Sequence, residues 1–213
     1  YDVVIIGAGL WGLSLSWHLA RGGKKVLVLD RSHSGAGSSS RNVARVRGIQ
    51  LTPDLTRLAL AAQEKHGALG RELGQNTIFW RAGYLWVLYS EEEVQRFRDL
   101  LPMLAGVNCP AKLLSTRETL KVMPVLEGGE RCAGGMYGAR DVVSHHDAVM
   151  SAYRSACRRL GVVMREHCEV TGIVMSAGRA SGVACGDERF DADLVVIAAG
   201  GWSPKISESA GVH

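Results

Sequence analysis

The first thirty residues, YDVVIIGAGLWGLSLSWHLARGGKKVLVLD, constrain the fold more than any other stretch. Val3–Ile6 is a short apolar run with the length and composition of a buried strand. It stops at Gly7, Gly9 and Gly12, a complete G-x-G-x-x-G. Leu13, Leu15, Trp17 and Leu19 then have helical spacing, and Gly22–Gly23 ends the helix. A second apolar strand, Val26–Leu29, closes on Asp30, 18 residues after Gly12. Each part of this βαβ unit has a physical task. Gly7 permits a tight turn, Gly9 lets a pyrophosphate approach the backbone, and Gly12 lets helix and strand pack closely. The helix N-terminus, at Leu10 and Trp11, offers free N–H groups and a positive dipole end to phosphates. Asp30 can accept hydrogen bonds from a ribose. A lone glycine motif proves little, but strand, glycines, helix, strand and acid together predict a dinucleotide site.

The remaining composition narrows the class. The chain has 213 residues, enough for one large or two small domains, with 46% hydrophobic and 22% charged residues. No apolar run reaches the roughly 18 residues of a membrane span. The N-terminal apolar run is broken by glycines and has no basic leader, so it does not read as a signal peptide. The net charge of +4 is mild, and only Arg41, Arg45 and Arg47 cluster. Without a basic stripe and interleaved aromatics, nucleic acid is not expected as a partner. The five cysteines show no C-x-x-C, so mostly buried thiols in a reducing, cytoplasmic setting are expected and no metal site is. The chain starts at Tyr1 without an initiator methionine and stops soon after a glycine turn, which reads as a fragment.

Farther along, Ser34–Asn42 is too rich in glycine and serine for a regular element. It reads equally as a flexible linker or as a donor-rich loop beside the cofactor. Helices are predicted from Pro53 to Gly74, over Glu91–Leu104, Glu118–Val122 and His146–Leu160. The last has Val149, Ala152, Tyr153, Ala156 and Leu160 as its buried stripe. Strands are predicted at Ile78–Trp80, Tyr84–Tyr89, from Gly134, Val162–Met164, Glu169–Val174 and Leu194–Ala198. Gly172–Ser176 and Ala180–Cys185 suit a hairpin around 177–179. Residues 3–6, 26–29 and 194–198 are expected in one parallel sheet, with ligand sites at their C-terminal ends. The expected fold class is therefore α/β, a Rossmann-like nucleotide-binding domain at 1–74 and 141–213. An incomplete mixed α+β domain is inserted at 75–140.

Four stretches carry a resemblance to a known family: DVVIIGAGLWGLSLSWHLA, LVLDRSHSGAGSSSRNVARVR, HHDAVMSAYRSACRRLGVVMREHCEVTGI and FDADLVVIAAGGWSP. Together they resemble the FAD-dependent oxidoreductases of the D-amino-acid oxidase superfamily. The nearest branch is sarcosine oxidase, with the β-subunits of heteromeric sarcosine oxidases and dye-linked proline dehydrogenases. The resemblance implies FAD as cofactor and an amine or amino acid as substrate. It places Gly7, Gly9, Leu10, Trp11, Gly12, Asp30 and Arg31 on the adenosine and pyrophosphate end. Ser38, Ser39, Arg41 and Asn42 would pass the pyrophosphate and flavin, Val170 would meet the adenine through its backbone, and Ala199, Gly200 and Trp202 would close over the cofactor. Arg47 matches an arginine that holds the substrate carboxylate, a role suited to a two-point guanidinium grip. Taken alone it reads more simply as a solvated or ion-paired surface residue.

His146 matches a histidine that carries a covalent second flavin, FMN, in heteromeric β-subunits. There the preceding residue is Lys or Arg and a partner subunit adjoins. Here it is His145. The plain alternative is a residue at a helix N-terminus, with Asp147 favouring the helix dipole. Trp11 is large for the slot before Gly12. The resemblance implies a further part that completes the substrate domain and supplies a second basic carboxylate contact, and the sequence as given is expected to stop short of it. Three functions stay open at this point. They are FAD-dependent amine oxidation by hydride transfer, an NAD-dependent dehydrogenase, and a non-catalytic or partner-dependent FAD-binding subunit.

Overall fold

A computed structural model describes residues 1–127 and 131–212. The elements in chain order are β1 Val3–Ile6, α1 Leu10–Arg21, β2 Val26–Leu29, β3 Arg45–Val46, α2 Pro53–Leu73, β4 Phe79–Arg81, β5 Tyr84–Leu88 and α3 Glu91–Gly106. They continue with β6 Lys112–Ser115, α4 Thr116–Val122, β7 Gly134–Gly138, β8 Val142–Ser144, α5 His146–Arg159 and β9 Val163–Arg165. The last are β10 Gly172–Ser176, β11 Arg179–Cys185, β12 Glu188–Asp191, β13 Leu194–Ile197 and α6 Ser203–Glu208. The chain divides into two compact units, 1–43 with 70–77 and 146–213, and 44–69 with 78–145. This geometric division differs from the sequence-based one. It puts residues 44–69 and 141–145 with the inserted segment, and 75–77 with the terminal ones.

The first unit is built on the parallel sheet β13-β1-β2-β9. Val3 pairs with both Val26 and Leu194, so the three apolar strands run in register. All four residues of β1 and of β2 are buried. Each such side chain stabilises by about 1.5–3 kcal/mol, which outweighs the local preferences of strands this short. β9 joins beside β2 as a fourth strand, beyond the three expected. Helix α1 buries Gly12, Leu13, Ser16 and Trp17, and the Trp17 ring meets Tyr153 of α5 edge-on at 6.1 Å. Leu160, expected in the buried stripe of α5, is instead 42% exposed. α5 ends at Arg159 and the chain turns at Gly161, φ +77°, so Leu160 sits at the helix terminus and not within the stripe.

Val170 lies outside any strand, because β10 starts only at Gly172. The β10–β11 hairpin is tighter than expected. Ala177 and Gly178 both have positive φ, a two-residue turn suited to strand twist, and Arg179 already belongs to β11. The N–H of Thr171 donates to the carbonyl of Ala184, which brings Cys185 opposite residue 168. Cys168 and Cys185 form a disulfide, a pairing that the expectation of mostly buried thiols in a reducing setting did not include. Cys109, Cys132 and Cys157 are free. Burial pushes the Cys157 thiol up to about 12, so it is inert packing against α1.

The second unit holds two antiparallel three-stranded sheets, β3-β8-β4 and β5-β7-β6. Its core gathers Ile49, Leu104, Cys109 and Met136, with Trp86 and Phe97 packed against them. β4 and β5, adjacent in sequence, enter different sheets. Ser115 caps α4 in a reciprocal capping box with Glu118. No helix among the described residues is long and apolar enough to cross a membrane.

Candidate functional site

Four loops meet at the C-terminal edge of the parallel sheet. Gly7 has φ +108°, and a Cβ there would lie 2.5 Å from the Ala198 carbonyl oxygen, so the exits of β1 and β13 touch backbone to backbone. A Cβ on Gly12 would lie 1.9 Å from the Gly7 carbonyl oxygen. Only glycine permits α1 to start so close to β1. At Gly9 a Cβ would meet only the Ser39 hydroxyl, at 3.1 Å.

Asp30 organises this edge. One carboxylate oxygen accepts the Ala8 N–H at 2.7 Å and the other the Ser32 N–H at 2.8 Å. The glycine turn is thereby tied to the end of β2. A carboxylate has about four lone-pair sites, so two remain for a ribose.

Helix α1 has no capping side chain of its own at Gly9. Ser39, from the glycine- and serine-rich segment, supplies it. Its hydroxyl accepts the Leu10 N–H at 2.9 Å. The hydroxyl-rich segment is thus seated on the helix N-terminus as a short 3-10 turn over Ser38–Ser40. Asn42 closes it by donating to the carbonyls of Ser38 and Ser39. Replacing Ser39 with alanine removes the cap and is expected to cost about 1 kcal/mol, read as a drop of about 2–4 °C in Tm.

Glu166 holds the other side of the same segment, and no local sequence signal marks it. Its Oε1 accepts both the Ser34 hydroxyl at 2.6 Å and the Ser34 N–H at 2.8 Å. These bonds, the hydroxyl first, hold its carboxyl below the ordinary glutamate value of 4.5. The folded value is the lower one, so the stabilisation is present above pH 4.5 and is lost as pH falls through the folded value. Glu166→Gln is therefore expected to lower stability slightly at pH 7, by less than about 1 kcal/mol for this partly solvated group, read as a small drop in Tm. The difference from the unsubstituted protein shrinks in melts taken progressively below pH 4.5.

The β13 exit brings the last residues. Ala199 leads into a 3-10 turn at Gly200–Trp202, and Gly200 has φ +58° with open space where a side chain would be. The Arg31 guanidinium sits 4.0 Å from the centre of the Trp202 ring, a cation–π contact that links the exits of β2 and β13. A Cβ on Gly37 would lie 3.8 Å from the same ring. Gly7, Gly9, Leu10, Gly12, Asp30, Arg31, Ser38, Ser39, Asn42, Ala199, Gly200 and Trp202 thus share one sheet edge. Trp11 is 85% exposed in the first turn of α1, Arg41 is exposed, and Val170 packs its side chain against the sheet core. His146 starts α5, its Nδ1 2.9 Å from the Asp147 carboxylate.

Arg45 and Arg47 belong to the other unit. The Arg47 guanidinium lies 4.7 Å from the Trp86 ring centre and 5.6 Å from that of Tyr84, two aromatic residues of β5 that the sequence did not single out. Arg45 lies over Tyr84, at 5.9 Å. Among the described residues no carboxylate is within ion-pair distance of Arg47. Close by, Asp141 is 4% exposed. Burial raises its carboxyl above the ordinary range, against the opposing pull of the Gly48 and Gln63 hydrogen bonds and the Arg47 charge.

The sheet edge has the form of a dinucleotide site. A glycine turn lies against the strand exits, a helix N-terminus opens beside it, and an acid stands at the end of the second strand. Glycine keeps the approach at residue 9 clear of side-chain atoms other than the Ser39 hydroxyl, as a pyrophosphate at this helix N-terminus would require. Residues 2–212 match the family described as FAD dependent oxidoreductase (DAO), and the chain belongs to that family. The cofactor of this family is FAD, which sets aside the nicotinamide alternative. Among its relatives is the sarcosine oxidase subunit beta of Rhodobacter capsulatus. The two are 27% identical over 99% of this chain and 52% of that protein. Glycine oxidase of Pseudomonas putida is 28% identical over the full chain and 58% of its own length. The crystal structure of glycine oxidase from Geobacillus kaustophilus superimposes with a TM-score of 0.89 at 26% identity, over all of this chain and 59% of that one. L-proline dehydrogenase from P. horikoshii gives the same TM-score at 24% identity, over 99% of this chain and 56% of that one, and shares the fold. The chain spans about half the length of the curated relatives it matches.

Proposed function

We propose that this chain serves the FAD-dependent oxidation of an amine or amino acid, of the sarcosine-like N-methyl or cyclic type. The observation that carries the reading is Arg47, a guanidinium stacked on aromatic rings with no carboxylate of its own among the described residues. Such a group makes a two-point, charge-assisted grip on a substrate carboxylate and fixes the neighbouring carbon. FAD, when bound, supplies the oxidising power for the C–N bond of the substrate. The chain's own residues do the rest. Asp30 and the first turn of α1 hold the ribose and pyrophosphate, Ser39 fixes the loop over that turn, and Trp202 with Arg31 closes the β13 side. The names of the relatives, sarcosine oxidase subunit beta and glycine oxidase, agree with a small amino acid.

A second reading, an FAD-binding subunit that needs a partner chain, is favoured by one fact. The matched R. capsulatus protein is itself a subunit and is covered over only 52% of its length. Anaerobic mixing of the yellow, FAD-loaded protein with sarcosine, proline or glycine separates the two. Bleaching of the flavin absorbance by one of these supports amine oxidation by this chain. Bound FAD that no amine bleaches rejects it and leaves the partner-dependent reading.

A further inference from the structure

Arg47 stands between two peptide groups that are both held by one buried polar pair. On its N-terminal side, Gln63 Nε2 on α2 donates to the Val46 carbonyl at 3.0 Å. On its C-terminal side, the Gly48 N–H donates to Asp141 Oδ1 at 2.7 Å. Gln63 Nε2 donates to the same Oδ1 at 2.8 Å, which joins the two holds into one unit. Beyond them, Val46 pairs with Val142 in β8 and Ile49 is buried in the core. Arg47 itself is outside the strand pairing, so the direction of its side chain depends on the torsions that these bonds fix.

The space for the Asp141 carboxylate is built by glycine on both sides. A Cβ at Gly48 would lie 2.9 Å from Oδ1, and one at Gly138 2.9 Å from Oδ2. Oδ2 has no hydrogen-bond partner among the described residues. A buried acid with a lone oxygen is a costly way to fill space, since apolar side chains of similar volume pack there without the desolvation penalty. Its position beside the backbone of Arg47 supplies a reason for it.

We propose that Asp141 and Gln63 are positioning residues that clamp the peptides flanking Arg47 and thereby set how tightly the protein holds a substrate carboxylate. This rests on the reading of Arg47 as the carboxylate grip. The clamp acts through hydrogen bonds to the main chain, so an asparagine at 141, which keeps an oxygen acceptor, preserves it.

The test titrates the FAD-loaded protein calorimetrically with acetate, using acetamide as the uncharged control. Gln63→Ala and Asp141→Ala are expected to weaken acetate binding about tenfold, the scale of a guanidinium displaced by a fraction of an ångström. Asp141→Asn is expected to stay within about threefold of the unsubstituted protein, and FAD content to stay unchanged in all three. Should Asp141→Ala fail to fold, Gln63→Ala and Asp141→Asn decide. Unchanged acetate affinity in Gln63→Ala, or Asp141→Asn as weak as Asp141→Ala, overturns the clamp. Arg47→Gln separates this from the underlying reading. If it too binds acetate normally, the carboxylate grip is wrong and the clamp falls with it. If Arg47→Gln is weak while Gln63→Ala is not, only the clamp falls.

Discussion

Gly12→Ala is expected to leave little FAD-loaded protein and to lower Tm by about 6–12 °C, the equivalent of about 3 kcal/mol in a chain of this size. The added Cβ would lie 1.9 Å from the Gly7 carbonyl oxygen, where an ordinary contact needs more than 3 Å. That oxygen cannot retreat. Gly7 is anchored by its N–H to the Leu29 carbonyl at 2.8 Å, and the next N–H, of Ala8, to Asp30 at 2.7 Å. The helix must move instead, and with it the packing of Leu13 and Trp17 on the sheet and on Tyr153. Gly9→Ala is the informative contrast. Its Cβ would meet only a hydroxyl at the end of a rotatable side chain, so its Tm is expected to stay within about 2 °C of the parent. FAD retention should fall in both, in Gly9→Ala without the loss of stability. Thermal melts and the ratio of flavin to protein absorbance read both effects. A Gly12→Ala protein that melts with the parent contradicts the close approach of α1 to β1.

These glycines were legible because their work is local. A G-x-G-x-x-G between an apolar strand and a helix states its own stereochemistry within twelve residues. The apolar runs at 3–6, 26–29 and 194–198 announced the sheet for the same reason, since a continuous apolar run is recognisable without its neighbours, although only β1 and β2 are buried throughout and β13 is partly exposed. β9 did not announce its place, because Val163–Arg165 is a half-exposed edge without a continuous apolar run. β3 and β8 are two and three residues long, too short for any period to show. What lay farthest from view were contacts across the chain. Ser39 caps Leu10 over 29 positions, Glu166 holds Ser34 over 132, and Gln63 meets Asp141 over 78. Serine, glutamate and glutamine occur on most surfaces, and only the fold brings these particular ones to the glycine turn or to Arg47. The Cys168–Cys185 bond belongs to the same class, since it depends on β11 returning along residue 171.

Arg47 carries the other large expected effect. Arg47→Gln in the FAD-loaded protein should reduce kcat/KM for a carboxylate-bearing amine about a hundred- to a thousandfold, some 3–4 kcal/mol, as expected for removing one side of a charge-assisted pair. A matching amine without a carboxylate should be affected little, so the ratio of the two substrates is the diagnostic quantity. Arg47→Lys distinguishes the planar grip from charge alone. Lysine keeps the charge but presents a compact ammonium in place of the fork, and it cannot stack on the Trp86 and Tyr84 rings as a guanidinium does at 4.7 and 5.6 Å. Its activity should fall between the parent and Arg47→Gln, with the loss showing mainly in KM if the carboxylate is held equally in ground and transition states. A loss confined to kcat would mean that the guanidinium acts on the geometry of the reacting carbon. Equal kcat/KM in parent and Arg47→Gln, with FAD bound in both, would return Arg47 to the surface and leave the aromatic pair of β5 without a substrate to face.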